Sequence, residues 1–253
     1  MPDVALAALA QEGLVWLMLA AFVAGAVRGF AGFGTAMVFL PVAALFLSPV
    51  WALIVLVVMD AFGPIPNLRR AVADGRMSDL GWLLGAMIVA LPVGLSVLVA
   101  VSPELFRYAV SLVALSVPIV LLAGVRLRRA PGRKLLMGTG LSAGFLGGVA
   151  GLPGPPVILL YMATGDPVRI VRANTMLFLF AYTLILLSLL AVQGRLDVTA
   201  VMIGVMLAVP NAVGNIAGAA IFRPERARLY RAGAYGLIVV SALGGLPIWG
   251  VFG

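Results

Sequence analysis

Two charged side chains stand where charge is expensive. Of the 17 Lys and Arg and nine Asp and Glu in the 253 residues, only Arg28 and Asp60 fall inside apolar stretches. A charge within a bilayer costs about 2.5–3.5 kcal/mol even on the mildest scale, so such a residue needs a task or a partner. Arg28 lies in Gly25-Ala-Val-Arg-Gly-Phe-Ala-Gly32. It could attract an anion near the midplane, helped by the backbone N–H groups of a helix starting just past the glycines. The plainer alternative makes it a cytoplasmic loop residue after segment 13–27. Asp60 is a proton-coupling candidate, because a carboxylate among apolar side chains can take up and release a proton as its surroundings change. Its alternative is a simple pairing with Arg69 or Arg70.

The motif around Arg28 returns 119 residues later as Gly144-Phe-Leu-Gly-Gly-Val-Ala-Gly151, followed by Leu152-Pro153-Gly154-Pro155-Pro156. Arg28 is answered there by Gly147, so any site would be chemically asymmetric. Three prolines in four positions cannot sit inside a regular helix, but they suit a break followed by a new helix start. Paired, Gly/Pro-interrupted apolar segments are a pointer to the binding site of a two-repeat transporter. The expected substrate-binding set is therefore Arg28, Gly29, Gly32, Gly148, Gly151, Pro153 and Gly154, joined by the amides of Asn174, Asn211 and Asn215. Asn211 and Asn215 are four apart and share a helix face. Thr175 and Tyr182 belong to the same class. Glycines at this spacing also let helices approach closely, and Asn side chains also join helices, so packing stands beside binding as a reading of each.

The elements that must carry these residues are set by composition. Hydrophobic residues make up 63% of the chain and charged residues 10%, against about 25% charged in a soluble domain. The solvent for most of this surface is lipid. The chain has no Cys and no His, which removes disulfides, thiolate nucleophiles, Cys/His metal sites and His proton relays. Without Cys or His, and with no acid pairs at ligand spacing, only an unusual Ser-based site is left as a catalytic alternative, so no metal or other cofactor is expected and the protein is read as not an enzyme. The net charge of +8 is explained by membrane orientation; nucleic acid is not an expected partner. Residues 1–14 hold Asp3 and Glu12 and no basic residue, unlike a cleaved signal peptide, so the first apolar segment is expected to be retained.

Ten apolar stretches can be read: 13–27, 29–47, 50–66, 80–101, 108–125, 135–150, 153–165, 173–193, 198–222 and 232–252. Several reach the ~20 residues of a span, whereas 13–27 and 153–165 are short and read as half-spanning or re-entrant. The repeat continues beyond the glycines. Pro49-Val50 is answered by Pro167-Val168, Gly75-Arg76 by Gly194-Arg195, Gly85-Ala86-Met87 by Gly204-Val205-Met206 and Pro103-Glu104 by Pro224-Glu225, at offsets of 118 to 121. The expected architecture is an all-α integral membrane protein of two inverted-topology repeats, 1–125 and 135–253, with about five segments each, joined by a basic cytoplasmic linker at 126–134. Placing the basic loops at 69–76, 126–134, 169–172 and 223–231 inside leaves only Arg107 and Arg195 in outer loops, a strong positive-inside pattern. Both termini then lie outside. Residues equivalent in sequence fall on opposite faces, as inversion requires; a parallel tandem repeat is the alternative. Ser102-Pro103-Glu104 and Arg223-Pro224-Glu225 read as helix starts.

At Gly25-Ala-Val-Arg-Gly-Phe-Ala-Gly-Phe-Gly34, at Ser142-Ala-Gly-Phe-Leu-Gly-Gly-Val-Ala-Gly-Leu-Pro-Gly-Pro-Pro156, and in the basic loop between two similar halves, the chain resembles the TauE/SafE family of permeases. The likeness runs from about residue 13 to 250. It implies a multi-spanning secondary transporter of small anions in the cell (inner) membrane, an exporter of sulfite, organosulfonates or related organic acids. It also implies alternating access and coupling to an ion gradient, which agrees with the lack of a Walker motif. The expected partners are a small anionic substrate and the lipid bilayer, with room for a homo-oligomer. A non-transporting membrane scaffold or assembly protein is the alternative; it accounts for packing glycines but not for two matching breaks.

Overall fold

The computed structural model describes residues 2–31, 33–122, 131–221 and 227–247. Among the described residues there are twelve α-helices and no strand. They are α1 (Pro2–Leu9), α2 (Leu14–Ala31), α3 (Thr35–Phe46), α4 (Pro49–Ala61), α5 (Leu68–Asp74), α6 (Met77–Ala100), α7 (Pro103–Leu122), α8 (Arg133–Ala150), α9 (Gly154–Ala163), α10 (Val168–Val192), α11 (Val198–Ile221) and α12 (Ala227–Gly245). Each of the ten apolar stretches contains a helix. Within the described residues α2, α6, α7, α10 and α11 are long and apolar enough to cross a membrane. Their outward faces carry Val192, Leu122, Ile216 and Ile119, all strongly exposed, as helices solvated by lipid require.

Two boundaries differ from expectation. Helix α2 does not stop at 27 but runs through Arg28 to Ala31, and at 18 residues it is long enough to span. The apolar count ends at a charge; the helix does not, because Arg is a good helix former and favours a helix's C-terminal end. The stretch 29–47 is accordingly divided, its first residues completing α2 and the rest forming α3. The linker 126–134 also ends earlier, since Arg133 and Lys134 open α8; residues 126–130 and Arg223-Pro224-Glu225 lie outside the described residues.

The helix starts follow local chemistry. The Ser48 hydroxyl accepts from the Trp51 N–H at 3.4 Å, with Pro49 in the first turn of α4. Asp197 Oδ1 accepts from the N–H groups of Thr199 and Ala200 at 2.7 and 3.3 Å, capping α11. Ser102 caps α7 through the Leu105 N–H at 3.3 Å. At the end of α8, Gly151 takes a left-handed conformation (φ 66°) and its N–H reaches the Gly147 carbonyl, while Leu152 N–H reaches the Leu146 carbonyl. The Gly151 bond to the carbonyl four residues back is the left-handed helix ending that glycine favours.

The helices form two compact units. Unit 1 comprises Met1–Phe62, Ser102–Leu115 and Gly194–Gly253, and unit 2 comprises Gly63–Val101 and Ser116–Gln193. Each draws on both halves of the sequence. In unit 1, α2 packs along α11: a Cβ at Gly25 or Gly29 would strike the carbonyl oxygens of Asn211 and Asn215, and one at Gly214 or Gly218 those of Phe22 and Ala26. In unit 2, α8 packs along α6: a Cβ at Gly140, Gly144 or Gly148 would strike the backbone of Leu83, Met87 and Leu91. The contact positions rise together on both members of each pair, so α2 runs parallel to α11 and α8 runs parallel to α6. Small residues at four-residue spacing produce these crossings by letting backbone meet backbone.

Candidate functional site

In unit 1, the last turn of α2 carries Arg28 and the last turn of α4 carries Asp60. Their side chains meet in an ion pair, Arg28 Nη1 to Asp60 Oδ2, at 2.5 Å, with 17% and 23% of the side chains exposed. The other carboxylate oxygen, Asp60 Oδ1, is buried with no hydrogen-bond partner. Asp60 therefore pairs with Arg28 rather than with Arg69 or Arg70; Arg70 lies 3.9 Å from Asp74 instead. The sequence isolates both residues but does not join them. The signal was present, because two opposite charges stranded in apolar sequence are best stabilised by each other. Arg28 also occupies the C-terminal end of α2, where the helix dipole favours a cation.

The neighbouring candidates in unit 1 make contacts between helices. Gly29 fits under the Asn215 carbonyl. Asn211 is buried, and its Nδ2 donates to the Ala21 carbonyl at 3.3 Å, joining α11 to α2. Asn215 is half-buried on the same face. Gly32 lies outside the described residues.

Unit 2 holds the second motif. Gly148 lies under α6, where a Cβ would be 2.5 Å from the Leu95 nitrogen and 2.6 Å from the Leu91 oxygen. Gly151 ends α8; Pro153 and Gly154 are buried at the start of α9. Space does not demand glycine at 154, where a Cβ would meet Ile158 and Leu179 at 3.6 Å. Gly147, the sequence counterpart of Arg28, has no room for a side chain: a Cβ would be 2.7 Å from the Tyr182 ring and 3.1 Å from Pro153. The buried Tyr182 hydroxyl donates to the Gly147 carbonyl at 2.8 Å.

Unit 2 also gathers the candidates Asn174 and Thr175 into a polar cluster with Arg76, Asp166, Thr164 and Tyr161, which the sequence did not single out. The Arg76 guanidinium grips Asp166 with both nitrogens, at 3.0 and 2.5 Å, and the Thr164 hydroxyl donates to the same carboxylate at 2.7 Å. Asn174, fully buried, accepts the Arg76 backbone N–H on Oδ1 at 2.7 Å. Its Nδ2, the Tyr161 hydroxyl and the Thr175 hydroxyl are buried without a partner. Arg76 and Asp166 are 90 residues apart and each sits beside a helix break, where no periodicity points to a partner.

Long apolar helices that cross on glycine and break at Gly34 (φ 108°) and Gly151 (φ 66°) define a multi-pass membrane protein. The family model described as sulfite exporter TauE/SafE matches residues 17–244, and the chain belongs to that family. Membership makes it a membrane transporter, in a family of transporters rather than enzymes. No curated protein and no solved structure matches the chain.

Proposed function

We propose that the protein is a secondary transporter, an exporter of small sulfur oxyanions such as sulfite and organosulfonates or of related organic acids, in which Arg28 receives the anion and Asp60 carries a coupled proton. The observation that carries the reading is the 2.5 Å ion pair between these two residues, set in apolar helices of a family of exporters. An arginine bound to a carboxylate has no charge to offer. An anion must displace Asp60, and the displaced carboxylate is then stranded in a poorly hydrated place unless it takes up a proton. Two states are neutral: the closed pair, and the pair opened by one monoanion on Arg28 and one proton on Asp60. Neutral states cross a bilayer most cheaply. One proton therefore moves with one monoanion, and export follows wherever the outward anion gradient exceeds the inward proton gradient.

Access alternates around the breaks that end in Gly34 and Gly151. The basic loops face the cytoplasm of the cell (inner) membrane and both termini face outward. The helix directions support this arrangement. Helices α6 and α8 both follow basic segments and run parallel, and α2 runs parallel to α11, which follows the nearly neutral stretch 194–197. On the charge pattern, α2 then opposes its counterpart α8, and the halves are inverted.

The test is methanesulfonate flux in proteoliposomes, since this anion keeps one negative charge across the working pH range. Arg28→Ala should reduce flux at least tenfold. If it transports as fast as the unaltered protein, the assigned site is wrong; if neither protein moves any small anion, the scaffold reading is the better one.

A further inference from the structure

The repeat allows one unit to be compared with the other at a second place. In unit 2, the arginine after a glycine, Arg76 of Gly75-Arg76, is held by the residue before a proline, Asp166 of Asp166-Pro167. The sequence counterparts in unit 1 are Arg195 of Gly194-Arg195 and Ser48 of Ser48-Pro49, at offsets of 119 and 118. They too are brought together: Ser48, Val50, Trp51, Gly194, Arg195, Leu196 and Asp197 line one open cavity of about 350 Å³. The carboxylate is missing from this version. Where Asp166 fills the guanidinium fork, unit 1 has a short serine whose hydroxyl is already used on the Trp51 N–H. Arg195 is exposed and makes no ion pair among the described residues.

We infer that this cavity is an oxyanion site, in which a ligand supplies to Arg195 the group that Asp166 supplies to Arg76. The ligand class is a small monoanionic oxyanion presenting two acceptor oxygens, a sulfonate, carboxylate or phosphate, which matches the planar fork of an arginine. Asp197 also lines the cavity but makes no ion pair with Arg195; its Oδ1 accepts from the N–H groups of Thr199 and Ala200, so its carboxylate is turned to the start of α11. Helix α4 begins at the cavity and its positive end adds to the attraction, whereas the start of α11 is already met by Asp197. Trp51 is among the lining residues, close enough for its emission to report on the cavity. The site is separate from the Arg28–Asp60 pair and stands whether or not that pair transports. Its ligand could be a free solute or the phosphate of a lipid headgroup; the chemistry at Arg195 is shared.

The experiment uses the full chain carrying Arg28→Ala, so that binding at Arg28 cannot contribute, in nanodiscs of neutral phosphatidylcholine. Methanesulfonate is titrated while tryptophan emission is read, with Trp51→Phe identifying the part of the signal that comes from Trp51. A saturable change is expected, weakened at least tenfold by Arg195→Ala. Ser48→Asp should weaken it equally, because it restores the unit 2 arrangement; Asp is also a good N-cap, so α4 keeps its start. If saturation appears only when phosphatidylglycerol replaces part of the neutral lipid, and is lost in the same two variants, a lipid headgroup is the occupant. If Arg195→Ala and Ser48→Asp behave like their parent with both probes, the cavity is not an oxyanion site and the inference is overturned.

Discussion

The two units share a packing scheme and differ in the chemistry mounted on it. In each, a glycine-rich helix from one half of the sequence lies parallel to a long helix from the other, with backbone against backbone: α2 on α11, α8 on α6. At the polar positions the likeness ends. Arg28 reaches Asp60, whereas its counterpart Gly147 is covered by Tyr182, and a neutral hydrogen bond stands in place of an ion pair. Conversely, Arg76 is closed by Asp166, whereas its counterpart Arg195 faces an open cavity. The glycines at the crossings tolerate little substitution because an added Cβ collides with main chain. Polar positions tolerate it because each needs only local satisfaction. A duplicated scaffold can therefore stay symmetric while its charge becomes one-sided.

The comparison can be broken most severely at the crossings. Gly148→Leu and Gly29→Leu should both prevent accumulation of folded protein in the membrane, since the obstacle in each case is backbone rather than a movable side chain. If either variant folds and melts normally, the shared packing scheme is wrong. The next effect is confined to unit 1. Asp60→Ala strands the Arg28 guanidinium, and its cost should fall somewhat below the ~3–5 kcal/mol of breaking a fully buried pair, given the partial exposure of both side chains. Removing both residues together should recover part of that loss. Melting temperatures of the two singles and the double close this cycle, and strictly additive losses would mean that the pair is not coupled. The smallest effect belongs to unit 2. Tyr182→Phe removes one hydrogen bond from a Gly147 carbonyl that also accepts the Gly151 N–H, and should cost about 1 kcal/mol. Methanesulfonate flux should be unchanged in this variant; a loss as large as that of Arg28→Ala would place unit 2 at the centre of transport.

Much of the scaffold was legible in the sequence, because lipid as solvent leaves few options for a chain this apolar. All ten apolar stretches hold helices, and the two glycine motifs lead to helix breaks. What stayed hidden depended on pairing across distance. Arg28 and Asp60 were each visible as isolated charges, yet nothing in the spacing of residues 32 apart says that two helix ends meet. Arg76 looked like an ordinary loop charge until Asp166 was brought to it. The end of α2 was misjudged because hydropathy marks where lipid contact stops, while backbone hydrogen bonding continues for another turn. Helices α1 and α5 were missed because each is too short to form a persuasive apolar run.

In the proposed transport cycle Asp60 takes a proton when an anion occupies Arg28. The most direct measurement is methanesulfonate movement in proteoliposomes under an imposed pH difference, comparing the unaltered protein with Asp60→Asn. The unaltered protein should drive the anion from the acidic to the alkaline compartment. Asp60→Asn leaves Arg28 without its carboxylate, so it should still exchange the anion but ignore the pH difference. If Asp60→Asn follows the pH difference as well as the unaltered protein does, the proton is carried elsewhere and the Arg28–Asp60 pair is not the coupling device.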